Sequence, residues 1–280
     1  MNIVLVCINN FQEYILDNIK QLIRLGHLNI FVLTNEIFFQ NFEPFLDKIK
    51  LINISELNDT FDYYSKTNID KSFRNGFWAL TSLRFFYIYD FMKKYNIEDI
   101  IHLENDVLIY HNCKNIINNF EKEYIYIPFD TFKRNIASIM YIPSHEKLKI
   151  ILDNYDYSKN DMENFYFIKN KTNLIKTLPI FPKLSYNKNP EIDFVSENFD
   201  KFNYIFDAAA IGQYLGGIDP RNNPANTIGF VNETCVIKYN NFQFSWNIID
   251  EIKKPSITIN DTEYSIFNLH IHHKDLYNFI

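Results

Sequence analysis

Two acidic residues separated by a single residue, Glu104 and Asp106, interrupt an otherwise apolar stretch. Residues 100–103 (Ile-Ile-His-Leu) lead into them and residues 107–109 (Val-Leu-Ile) lead out. Side chains of a strand alternate between faces, so the two carboxylates project to one side while Asn105 points away. Carboxylates placed together repel and raise each other's pKa unless a cation or a proton lies between them. At the exit of a buried strand, that pattern points to a divalent metal site. A second pair, His270-x-His272, closes an apolar segment near the C-terminus and is followed by Lys274. Strand alternation again places both imidazoles on one face. Either could complete an oxygen-rich metal site begun by Asp106, with Lys274 close enough to meet a phosphate. Asp207 heads the run Asp-Ala-Ala-Ala-Ile-Gly-Gln. A carboxylate there serves either as a helix N-cap or as a group that orients, or takes a proton from, an acceptor hydroxyl.

These residues need elements to hold them. Residues 3–8 form a short continuous apolar run suited to a central parallel strand, and residues 11–25 carry apolar positions at helical spacing up to Gly26, a helix stop. Residues 29–34 and 46–54 supply two more strands, so the chain opens β-α-β-α-β, an arrangement that binds ligands beyond the carboxyl ends of its strands. Neither GxGxxG nor GxxxxGK[ST] occurs, which argues against an ordinary dinucleotide or P-loop site. Residues 59–76 read as a loop over the site and 77–95 as a long helix bearing Arg84 among aromatics. Beyond the acid pair, the pattern predicts a helix over 113–120 and strands over 124–128 and 132–142. The last of these carries Asn135 and Ser138. A helix over 144–155 follows, with Ser144 as its cap. Only a strand near 177–181 stands out of the Asn/Lys-rich stretch 156–190. A short helix is expected over 206–217, starting at Asp207, then a built loop over 216–230 in a chain with only 6 glycines, and an extended segment over 265–274.

The composition bounds the function. A chain of 280 residues, 47% hydrophobic and 17% aromatic, can bury a sizeable core, and excess Ile, Lys, Asn, Phe and Tyr suggests an AT-biased host or viral genome. A net charge of -6 with no dense Lys/Arg block argues against a nucleic-acid binder. The three cysteines, Cys7, Cys113 and Cys235, are too dispersed for a disulfide framework or a zinc knuckle, which favours a reducing, cytoplasmic setting. The N-terminal apolar run is too short for a signal peptide, and no run approaches the roughly 18 apolar residues of a membrane span, so a soluble protein is expected.

Five motifs in order resemble the GT-A glycosyltransferases, and in part the group that includes glycogenin and bacterial galactosyltransferases. Glu104–Val107 stands where that family has its DxD motif. The helix segment Leu-Thr-Ser-Leu-Arg-Phe-Phe resembles the one bearing a donor-contacting arginine, here Arg84. Arg134–Ile142 resembles the strand that sets Asn135 and Ser138 near the donor sugar. The Asp207 run resembles the acceptor-contacting Asp-Gln helix, and residues 269–274 resemble the C-terminal His and Lys that close on metal and diphosphate. The chain departs from the pattern at Glu104, which replaces the first Asp and is expected at the ribose or behind the metal ligands, with metal or ribose contact left as alternatives. It departs again at Ala208, which replaces Gln, and in the shorter His-to-Lys spacing, which leaves His270 and His272 as alternatives.

The resemblance implies an α/β fold of GT-A type, a Rossmann-like mixed sheet flanked by helices in a single domain over 1–280. Residues 1–110 would form its nucleotide-binding half. Residues 111–280 would form its acceptor half, with the C-terminal closure. It implies transfer from a nucleotide-sugar donor, foremost a UDP-sugar, to a hydroxyl of a glycan or other acceptor, assisted by Mn2+ or Mg2+. Asp106 with His270 or His272 would hold the metal. Cys7, Asn9, Asn35, Arg84, Glu104, Asn105, Asn135, Ser138 and Lys274 would meet the donor, and Asp207 would act at the acceptor. A nucleotidyltransferase of sugar phosphates would also place carboxylates at strand ends, but it carries a glycine-rich basic N-terminal loop that Cys-Ile-Asn-Asn-Phe-Gln-Glu-Tyr is not. A non-catalytic carbohydrate-binding protein would need neither the acids nor the terminal His and Lys.

Overall fold

The computed structural model describes residues 1–184, 189–216, 234–249 and 251–280. Strand β1 (Asn2–Cys7) leads through α1 (Ile15–Arg24) to β2 (Ile30–Thr34). A 3-10 segment, Glu36–Phe45, then precedes β3 (Ile49–Asn53). A short helix α2 (Tyr63–Lys66) precedes the long α3 (Phe77–Tyr95), which feeds β4 (Ile100–Leu103) and β5 (Val107–Ile109). Next come β6 (Ile125–Pro128), β7 (Ile139–Ile142), α4 (His145–Asp153), α5 (Asp161–Thr172) and β8 (Ile175–Leu178). The chain then runs through α6 (Pro190–Val195), α7 (Phe199–Phe202), β9 (Ile205–Phe206), α8 (Gly212–Gly216), β10 (Gln243–Ile249), β11 (Ile252–Ile259) and β12 (Thr262–His270).

Seven strands form one sheet in the order β3-β2-β1-β4-β7-β6-β8. The first four positions are parallel, and β7 runs antiparallel to both β4 and β6. Continuous apolar runs in β1, β2 and β4 bury both faces, as a central parallel strand must, and the core divides accordingly. One cluster packs α3 against Val4, Phe31 and Met140, and the other packs α1 against Ile3, Leu5 and Tyr141. A second sheet, β10-β11-β12-β5, is antiparallel, with β9 parallel to β12 at its side. Its register is what matters for the site. His270 pairs with Val107, Leu269 with Leu108 and Asn268 with Ile109, so the end of the chain returns beside the acid pair.

The expected mixed sheet flanked by helices is present, and several elements differ in extent. The strand expected over 132–142 is confined to Ile139–Ile142, because a paired Asp130 and Arg134 and a bridge between Phe129 and Asn135 close a turn ahead of it. The helix expected over 113–120 is two 3-10 turns, Cys113–Asn115 and Ile117–Asn119. The stretch 156–190 contains the well-formed α5, opened by a capping box between Asn160 and Glu163. The helix expected from Asp207 starts only at Gly212, because Asp207 bends the preceding residues around its own carboxylate. Residues 217–230 of the expected loop, and 185–188 of the stretch before it, lie outside the described residues. Among the described residues no helix is long and apolar enough to cross a membrane. All three cysteines are buried and free.

Candidate functional site

The acid pair sits in a turn, not in a strand. β4 ends at Leu103, the Glu104 amide donates to the Ser138 carbonyl at 2.8 Å, and the Val107 amide closes on the Glu104 carbonyl at 3.0 Å. The expected outcome, two carboxylates on one side and Asn105 on the other, therefore arises from turn geometry and not from strand alternation. Helix α1 holds the turn from below. Asn18 Nδ2 donates to the carbonyls of Glu104 (3.3 Å), Asn105 (3.2 Å) and Val107 (2.9 Å), and Gln21 Nε2 donates to that of Ile109 (3.0 Å). Asn105 anchors the other side, donating to the Val6 carbonyl at 2.8 Å and to Gln12 Oε1 at 2.5 Å.

Above the turn, Glu104, Asp106 and His270 bring one ligand atom each to within 4.8 Å of one another. His270 Nε2 lies 3.0 Å from Asp106 Oδ2 and 3.6 Å from Glu104 Oε2. Two carboxylates and an imidazole are a hard-to-borderline donor set suited to Mn2+ or Mg2+, so the residues present fit the expected cation. Of the two alternatives, His270 joins the acids. His272 stacks behind it with ring centroids 4.4 Å apart and 15° between planes, and donates a hydrogen bond to the Ala209 backbone carbonyl. Burial, and then the neighbouring His270, lowers the His272 pKa to about 3.

Charge around the acids is balanced by cations from two directions. Lys274 forms a close ion pair with Asp106, and Arg84 forms one with Glu104 while its second arm reaches Asp161 Oδ2 at 3.0 Å. Burial works to raise the Asp106 carboxyl, but His270 and Lys274 outweigh it and hold the group well below the ordinary carboxylate range. The Arg84 guanidinium also lies over the Phe85 ring, 4.6 Å from its centroid. Helix α3 thus delivers a buried arginine, not one that snorkels to solvent.

The Asp207 carboxylate is engaged by backbone amides. Its Oδ1 accepts the amides of Ala210 and Ile211, both at 2.7 Å, and its Oδ2 accepts those of Gly212 (2.8 Å) and His270 (2.9 Å). The residue is fully buried, and its lone-pair directions are taken by backbone donors. Burial raises its carboxyl above the usual range against the pull of those donors. Asp207 ties the bend before α8 to the backbone of His270. Gly212 makes that tie feasible, because a Cβ there would run into the His270 carbonyl, 2.7 Å from its carbon and 3.2 Å from Asp207 Oδ2.

The remaining expected contacts divide into two groups. Asn135 and Ser138 are fully buried beside the acid turn. Asn135 Nδ2 donates to the Met162 carbonyl at 2.6 Å, and Ser138 Oγ donates to that of Asp207 at 3.4 Å. Cys7, Asn9 and Asn35 gather at the carboxyl ends of β1 and β2, where Asn35 Oδ1 accepts the Asn9 amide at 2.8 Å. Burial pushes the Cys7 thiol up to about 11. Asn35 also lines an open cleft of about 300 Å3 with Asn53, Ser55 and Tyr87, and none of the acid-site residues lines it.

Three contributors are absent from the sequence reading: Asp161, Asn18 and the close approach at Gly212. The capping box of Asn160 and Glu163 is legible in the sequence and would have placed Asp161 in the first turn of a helix. Nothing in the sequence signals that Asn18 faces the acid turn.

No family model and no curated protein matches the chain. Among solved structures it is similar to mouse xyloside xylosyltransferase 1 in its apo form, with 12% identity over 64% of this chain and 84% of that one, at a TM-score of 0.43. It is similar to the galactosyltransferase LgtC in complex with donor and acceptor sugar analogues, with 11% identity over 64% and 73% of the two chains, at a TM-score of 0.43. A cytidylyltransferase from Leptospira borgpetersenii matches with 12% identity over 64% and 75%, at a TM-score of 0.39. Likenesses this distant fix neither substrate nor activity.

Proposed function

We propose that the chain is a glycosyltransferase that moves a sugar from a nucleotide-sugar, foremost a UDP-sugar, to a hydroxyl acceptor with the help of Mn2+ or Mg2+. The observation that carries this reading is the convergence of Glu104, Asp106 and His270 at the carboxyl end of β4, in the parallel part of the sheet, flanked by Arg84 and Lys274. In this reading residues 1–110 supply most of the nucleotide side, through the β1 and β2 ends and the acid turn. Residues 111–280 supply the acceptor side and the closing His270 and Lys274.

Breaking the bond between the anomeric carbon and the diphosphate builds negative charge on the leaving phosphate. A divalent cation held by Asp106, His270 and Glu104 supplies Lewis-acid neutralisation of that charge when bound. Lys274 adds a mobile positive charge at the same place. Arg84, clamped between Glu104 and Asp161, fixes the Glu104 carboxylate so that its free oxygen faces His270. Asp207 holds the His270 backbone at a fixed depth and acts as a positioning residue.

Thermal denaturation of the chain with UDP and Mn2+, separately and together, tests the proposal. A stabilisation that needs both ligands is expected, and indifference to both contradicts it.

A further inference from the structure

Two donors from the C-terminal segment fall on the same Asp106 oxygen: His270 Nε2 at 3.0 Å, and the Lys274 ammonium in close contact. They are held very differently. His270 is fixed through its backbone, its amide on Asp207 Oδ2 and the next amide, that of Ile271, on the Asp106 carbonyl at 2.9 Å. Lys274 follows a tight turn closed by its own amide on the Ile271 carbonyl, and takes a left-handed φ of 69° that a side-chain-bearing residue seldom adopts. Its side chain is partly exposed and touches Asp106 and the face of Tyr14, 5.7 Å from the ring centroid. An ammonium and a divalent cation repel, and a cation bound between His270 Nε2 and Asp106 would lie against the oxygen that Lys274 holds, so its binding there would drive Lys274 away.

We infer that Lys274 is a tethered competitor of the divalent cation, neutralising Asp106 until the cation displaces it toward a diphosphate, so that metal and diphosphate bind cooperatively. The inference rests on the proposed cation and diphosphate site. Metal displaces the lysine from Asp106, the displaced ammonium gains the diphosphate as its partner, and each ligand thereby lowers the cost of the other. No bond is made or broken in this exchange, and the long lysine stem supplies the reach.

The test is calorimetric titration of the full chain with Mn2+, with and without UDP, for the wild type and Lys274→Met. K274M is expected to bind Mn2+ alone about tenfold more tightly than wild type, and the strengthening of Mn2+ binding by UDP is expected to fall by about tenfold, within the usual range of coupling between sites. Mn2+ binding by K274M that is unchanged or weaker, with wild-type binding measurable, overturns the inference and leaves the proposed site standing. Absence of Mn2+ binding in both proteins, with and without UDP, overturns both.

A second measurement needs no variant. Acylation of Lys274 by an amine-reactive ester, followed by peptide mass mapping of the wild type, should rise on adding Mn2+ alone and fall again when UDP is added. Labelling insensitive to Mn2+ overturns the inference.

Discussion

The substitution Asp207→Asn separates a capping carboxylate from a reacting one. Asp207 Oδ1 and Oδ2 each accept two backbone amides between 2.7 and 2.9 Å in a fully buried setting. Asparagine keeps one acceptor oxygen and replaces the other by an NH2 group. That group faces two N–H donors, whichever way the amide is turned. Two charge-assisted hydrogen bonds are lost, at about 1.5–3 kcal/mol each, and two buried donors are left without acceptors. Removing a buried charge returns part of that loss, since burial raises the native carboxyl. The net expectation is a destabilisation of about 3–4 kcal/mol, dominated by the lost bonds. Urea unfolding monitored by tryptophan fluorescence measures it, with an unchanged denaturant slope showing that the comparison is like for like. A D207N protein of wild-type stability that has lost the proposed transferase activity would refute the reasoning and favour the acceptor role for Asp207 over the capping one.

Gly212→Ala should cost about 2 kcal/mol and weaken Mn2+ binding, because the new methyl forces apart α8 and the His270 carbonyl; wild-type stability and affinity by urea unfolding and titration would contradict it. Asp161→Asn leaves Arg84 an acceptor but no second charge, so a loss of about 1–2 kcal/mol is expected on urea unfolding. Arg84 then turns its full charge on Glu104, and Mn2+ titration should show weaker binding; affinity equal to wild type would remove the clamp from the account. Burial lowers the pKa values of His27 and His111 to about 4, below the ordinary 6.5 of the unfolded chain. Below pH 6.5 the unfolded state takes up protons that the folded state refuses. The stability these residues contribute is therefore full above pH 6.5 and is lost as pH falls toward about 4. At pH 5.5 the loss is about 1.4 kcal/mol for each, so urea midpoints that do not fall between pH 8 and pH 5.5 would count against it.

The parts of the fold that the sequence displays are those with a strong local signal. The long α3 is apolar nearly all round and ends at Asn96 in a left-handed conformation, and its observed bounds are those its periodicity predicts. The run into Glu104 is a buried strand because four consecutive apolar-leaning residues leave no polar face. Long-range placement is what local pattern cannot carry. That Glu104 comes within reach of Asp106 and His270, with Arg84 bridging it to Asp161, depends on side chains far apart in the sequence. The backbone contacts of Asp207 are hidden from the sequence for a related reason. A carboxylate ahead of Ala-Ala-Ala resembles a helix cap, whereas it caps a bend and a distant strand end at once. The approach of His270, and not His272, to the acids likewise depends on tertiary register, through the pairing of His270 with Val107.

The central claim, a divalent cation held at Asp106 beneath a nucleotide diphosphate, is tested most directly by calorimetric titration of UDP in the presence of Mn2+ into the wild type and Asp106→Ala. Mn2+-dependent binding by the wild type, lost in a D106A protein whose thermal unfolding shows an intact fold, is the expected result. UDP binding by D106A equal to that of the wild type would contradict the claim.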